Sequence, residues 1–189
     1  MVFEIITALM FVIIAVIVIL VLMALYYFNR FAVLSNRIDE SLGQIDVQLK
    51  RRADLVPNLM ETVKGYAKHE KEIMKEVTDA RRDLISAKDI NSKIKAGNEL
   101  QTALKSIFAL AENYPQLKAN ENFLELQKEL ATIEDKVAYS RQYFNDSILS
   151  YNNMVTVIPG LIFAKIYGKG RREFFMIPEE EKAVPKVKF

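Results

Sequence analysis

The chain has no cysteine and no tryptophan, and only one histidine, six glycines and five prolines among 189 residues. Without thiols there is no disulfide framework, no thiol nucleophile and no cysteine-ligated zinc. So few glycines leave little backbone for a phosphate-cradling loop, and no P-loop, nucleophile-elbow or calcium-loop pattern occurs. The single histidine, His69, sits in the string KHEKEI, where Ile73 occupies the place of the second histidine of a zinc-protease helix. We read His69, with Glu72 and Glu76, as a solvated helix face, and expect no metal and no cofactor. Charge is nearly balanced, 26 Lys+Arg against 24 Asp+Glu, with no basic stripe along a helix, so nucleic acid is not an expected partner.

What the chain does have is unevenly placed. Residues 1–28 contain one charged side chain, Glu4, and from Ile5 to Phe28 only Thr7 is not apolar. As a helix these 24 residues extend about 36 Å, enough to cross a hydrocarbon core of about 30 Å with some tilt. A cleaved signal peptide would need a basic leader, a shorter apolar stretch and a small-residue cleavage site, none of which is present. The lipid bilayer is thus the first expected partner. Tyr26, Tyr27 and Phe28, followed by Arg30, are expected at the membrane interface. Arg30, Arg37, Lys50, Arg51 and Arg52 all follow the span, which predicts a single-pass protein with its amino terminus outside and its helical domain in the cytoplasm.

Beyond the span the spacing predicts helices throughout. Leu34, Ile38, Leu42, Ile45, Leu49, Val56, Leu59, Val63, Ile73, Val77 and Leu84 recur mostly at three- and four-residue intervals. Pro57 predicts a kink near Leu55 or Val56 that divides this run into a juxtamembrane helix and a second helix ending near Ser86. Residues 89–93 read as a loop, followed by a helix ending near Asn113 ahead of Pro115. Asn122 to Glu125 reads as a capping box opening a long helix to Pro159. The expected fold is all-α: an N-terminal transmembrane helix followed by an elongated antiparallel helical bundle of three to four long helices. Its expected divisions are an anchor over 1–28, a bundle over 29–158 and an aromatic and basic tail over 159–189, with the end from Glu179 mobile.

Polar residues lie close to these stripes. Asp46, Lys50, Asp54 and Asn58 recur every fourth residue, so Asp46 and Asp54 can each pair with Lys50 along one ridge. Glu134, Arg141 and Asn145 line the last helix, and Arg141 is expected to reach Asp46 or Asp54 if the two helices are neighbours. Pairs of this kind fix helix register; a paired-carboxylate active site drawing on Asp46, Asp54, Glu134 or Arg141 is the competing reading. Asn58 is expected to satisfy a carbonyl freed by Pro57. In the tail, Phe163, Tyr167, Arg171, Arg172, Phe174 and Phe175 interleave rings with bases, and either fold back onto the helices or a neighbouring subunit, or meet anionic lipid.

Five strings, in order, resemble the LemA family of bacterial membrane proteins: QIDVQLKRRADLVPNL from Gln44 to Leu59, VKGY from Val63, ENYPQLKANENFL from Glu112, AYSRQYFN from Ala138 to Asn145, and REFF from Arg172 to Phe175. One departure falls at Leu42 and Gly43, where the resemblance leads one to expect a tryptophan or similarly bulky residue. The resemblance implies an amino-terminal anchor and a helical-bundle domain, and implies no established enzymatic activity, cofactor or substrate; the expected location is a bacterial inner membrane. The expected function is a membrane-anchored helical scaffold or interaction protein, self-associating or recruiting an unidentified protein partner, and not an enzyme. The alternative is a membrane-linked regulatory or sensory element that signals through a helix hinged at Pro57 and Asn58.

Overall fold

The computed structural model describes residues 1–175; the tail end expected to be mobile lies outside the described residues. Within them the fold is all-α with no strand: α1 (Val2–Tyr66), α2 (Lys71–Ser86), α3 (Ile90–Ala111), α4 (Pro115–Lys118), α5 (Glu121–Thr156) and α6 (Gly160–Ile166). Two compact units result. A terminal unit comprises Met1–Asp39 with Phe144–Phe189, and a central unit comprises Glu40–Tyr143. The expected boundaries after residues 28 and 158 both fall inside the terminal unit.

Three helix boundaries differ from expectation, each for a local reason. α1 continues through Pro57 and ends at Tyr66, so the break expected near Leu55 or Val56 falls instead at residues 67–70. There the ladder changes to short turns, with Glu70 N donating to Ala67 O and Lys71 N to His69 O. α3 begins at Ile90 rather than after Lys93. The Asp89 side chain caps it by accepting from Ser92 N at 2.9 Å and from the Ser92 hydroxyl. That hydroxyl, and then the amide, hold the Asp89 carboxyl below its usual range. α5 begins at Glu121, capped by Asn120, whose Oδ1 accepts from Phe123 N at 3.0 Å, two residues before the expected box at Asn122.

In the central unit the second half of α1, α2, α3 and the first half of α5 run up, down, up and down. Contacts give the directions. Arg81 of α2 reaches Ala53 and Tyr66 meets Asn120, so α2 and α5 are antiparallel to α1. Lys93 meets Asp46 and Arg52 meets Gly97, so α3 runs parallel to α1. α1 and α3 approach closely at Gly97, where an added Cβ would lie 2.7 Å from Leu49 Cδ2. The predicted stripe on α1 and α2 is buried except at Leu42 and Ile73, which are half-buried. Ile94, Leu100, Leu104, Ile107 and Leu110 bury the matching face of α3.

In the terminal unit α1 opens with an apolar stretch long enough to cross a membrane, and no residue of its most apolar window is buried. From Phe31 onward the helix acquires a covered face, Phe31, Leu34 and Ile38; α5 likewise buries Phe144, Ile148, Tyr151 and Val155, and Phe31 meets Tyr151 edge-on. The chain then turns through Ile158–Pro159, a cis peptide, into α6, which is bent by 87° from α5.

Candidate functional site

Two constellations stand out, one in each unit. In the central unit the apolar stripe of α1 steps from Leu49 to Val56 with Arg52 in between, three residues from one and four from the other, so its side chain points into the helix interface. Arg52 is 1% exposed. Its guanidinium donates to Gly97 O at 3.0 Å and forms an ion pair with Glu134 of α5, whose side chain is 35% exposed. Burial pulls the Arg52 guanidinium below its usual range, Glu134 opposes that shift, and nearby Arg141 adds to it. Arg141 in turn donates to Asn98 Oδ1 of α3. One polar cluster thus ties α1, α3 and α5 together. A shallow cavity of about 210 Å³ beside it is lined by Arg52, Leu104, Phe108, Leu130 and Glu134, smaller than the roughly 300–1,000 Å³ usual for small-molecule sites.

The expected partners differ. Arg141 meets Asn98, not Asp46 or Asp54; Asp46 pairs with Lys93 of α3, not Lys50. Lys50 and Asp54 are exposed and make no ion pair among the described residues. The carbonyl freed by Pro57 belongs to Ala53, four residues earlier, and Arg81 Nε of α2 donates to it at 2.8 Å. Asn58 is exposed and leaves that carbonyl to Arg81. The proline therefore supplies an acceptor on the surface of α1 that α2 uses. If so, Arg81→Ala is expected to destabilise the protein by about 1 kcal/mol, and by less in a Pro57→Ala background, where residue 57 can donate to Ala53 O itself; urea unfolding of the four proteins measures the coupling.

The second constellation surrounds the end of the apolar run. Tyr27 stacks on Phe163 of α6 with ring centroids 4.8 Å apart and meets Tyr26 edge-on at 5.3 Å. Phe28 and Phe31 meet Tyr167 edge-on at 5.6 and 6.4 Å, and the Tyr167 hydroxyl donates to Ala24 O at 2.7 Å. Arg30 is exposed. Beyond α6 the chain returns along α5, held through its backbone. Asn152 donates to Arg172 O and accepts from Arg172 N, both at 2.8 Å. Asn145, two turns earlier on the same face, donates to Phe175 O at 3.2 Å and accepts from Phe175 N at 2.8 Å. The Arg172 guanidinium lies 5.1 Å above the Tyr151 ring, donates to Ser35 Oγ at 2.8 Å and approaches Asp39. Asn145 thus serves this clamp. Phe163, Tyr167, Arg172 and Phe175 are brought together here, whereas Arg171 and Phe174 are exposed.

The clamped REFF string, the AYSRQYFN string that supplies Asn145, and the QIDVQLKRRADLVPNL string that supplies Arg52 and Pro57 are three of those that carried the resemblance. The family model described as LemA family matches residues 41–189. The chain belongs to the LemA family. Among its curated relatives, magnetosome protein MamQ of Magnetospirillum gryphiswaldense is 25% identical over 174 residues, covering 78% of this chain and 64% of the relative. Magnetosome protein MamQ 2 of Paramagnetospirillum magneticum is 23% identical over the same shares. Protein LemA of Metamycoplasma hominis is 24% identical over 121 residues, 64% of this chain and 55% of the relative. This LemA-family chain therefore spans under two thirds of the length of these relatives. Sequence reasoning missed Arg52, Arg81 and Asn152; for the first two the signal was a charged residue at a position the stripe reserves for an apolar one.

Proposed function

We propose that this LemA-family protein is a membrane-anchored helical scaffold that self-associates in the bilayer and performs no catalysis. One observation carries the reading: an apolar window of α1 without a buried residue, continuous with a helix whose remaining length is packed on its own chain. Transferring such a surface to lipid is strongly favourable, so α1 spans the membrane once and restricts every copy to a surface. There, even weak contacts between helix faces assemble because effective concentration is high. The basic residues after the span favour the helical domain on the cytoplasmic side of a bacterial inner membrane. The polar residues at the helix interfaces engage other helices or backbone in fixed register, the use such groups serve in scaffolds.

The absence of cysteine makes the test direct. A Glu125→Cys protein, with its only thiol on an exposed position of α5, is labelled with donor or acceptor dye and reconstituted at low protein-to-lipid ratio. Energy transfer above that of a monomeric single-span control is expected, as is protection of the thiol from an impermeant maleimide in sealed right-side-out vesicles. Transfer at the random-proximity level would remove self-association, and ready labelling in intact vesicles would reverse the orientation.

A further inference from the structure

The rings of α6 and its apolar exposed side chains face different surroundings. Gly160, Phe163 and Ala164 are buried and Tyr167 half-buried; Phe163 and Tyr167 meet α1, and Gly160 lies against Met154 of α5. Ile162 and Ile166, one turn apart, are 53% and 67% exposed, and Ile158 at the corner is 72% exposed. Nothing in the described chain covers them. Their depth is set by the contacts already given: Phe163 on Tyr27 and Tyr167 on the Ala24 carbonyl fix α6 beside the last turn of the apolar run. The 87° bend turns it across the direction of α5.

We propose that α6 is an interfacial helix lying in the headgroup–acyl boundary, with Ile162 and Ile166 in the acyl layer, so that the chain touches the membrane a second time more than a hundred residues after the span. The inference rests on the reading of α1 as the span. Charge identifies lipid rather than a second copy as the occupant. From Val157 to Arg172 there is no acidic residue, while Lys165, Lys169 and Arg171 are exposed, as are Arg30 and Arg37 on α1. Two such faces meeting across a symmetric contact would oppose base to base. Anionic headgroups instead complement these bases while the lysine stems reach along the apolar surface.

The chain has no tryptophan, so a single introduced indole reports its own position. Ile162→Trp, Ile166→Trp, Val16→Trp in the span and Glu125→Trp on α5 are each reconstituted in phosphatidylcholine–phosphatidylglycerol vesicles carrying bromines near the top or near the end of the acyl chain. Ile162→Trp and Ile166→Trp are expected to lose roughly half their emission to the shallow bromines and less to the deep ones, as interfacial helices do. Val16→Trp should show the reverse order, and Glu125→Trp no quenching. Water-like unquenched emission at 162 and 166 with Val16→Trp quenched overturns the interfacial helix and leaves the span standing. Blue-shifted but unquenched emission there assigns the face to protein and overturns it equally. An unquenched Val16→Trp removes the span and this inference together.

Discussion

Glu134→Leu is expected to destabilise the central unit by about 3–5 kcal/mol, because it strands a guanidinium that has almost no access to water. Arg141 makes the loss worse, since its charge already opposes that of Arg52 and Glu134 works against that effect. The reciprocal change, Arg52→Met, should be milder: Glu134 is exposed enough for water to replace its partner, and the Gly97 carbonyl loses one donor. Combining the two, Arg52→Met with Glu134→Leu, should recover most of the stability, as replacement of a buried ion pair by packed apolar groups commonly does. Urea unfolding followed by circular dichroism gives the order. A Glu134→Leu protein within about 1 kcal/mol of the parent would mean that the cluster is wetter than its geometry implies.

Gly160→Ala is expected to detach α6. A Cβ at this position would overlap the Met154 carbonyl oxygen and lie 3.3 Å from the carbonyl carbon, so backbone, not a pliable side chain, must move. Moving it separates Phe163 from Tyr27 and the Tyr167 hydroxyl from Ala24, at an expected loss of about 1–3 kcal/mol. Limited trypsin digestion in detergent micelles should then cut after Lys165 and Lys169 on the order of tenfold faster than in the parent, the ratio that about 1.4 kcal/mol of local opening produces. Gly170→Ala is the control, since nothing stands within 4 Å of the added carbon. Equal cleavage rates for the two variants would show that the corner is not what holds α6 in place.

Most of the helical content was legible because burial follows a simple period. The residues from Leu34 to Leu84 that make up the stripe are, but for the half-buried Leu42 and Ile73, the ones the fold covers, and the apolar run is marked by its lack of charge. What the period does not encode is which polar atom meets which. Arg52 reads as one more base after the span, and only the gap between Leu49 and Val56 marks it as interior. The pairing of Arg141 with Asn98 rather than Asp46 depends on α3 packing beside α5, a matter of three-dimensional neighbourhood. Pro57 frees the Ala53 carbonyl, a consequence readable from the sequence, but its donor is Arg81 of another helix, because Asn58, next in sequence, faces water. Helix starts shifted for a related reason: Asp89 and Asn120 each close a first turn with a side-chain oxygen, and either start can be mistaken for loop when only apolar periodicity is followed.

The clamp formed by Asn145 and Asn152 recognises amide hydrogens and carbonyls, not the side chains between them. Substitutions of the Glu173 and Phe174 side chains therefore leave these backbone bonds in place, whereas a proline at 172 or 175, which has no amide hydrogen, would release the returning segment. The clamp itself is thus strict about the capacity to donate at 172 and 175.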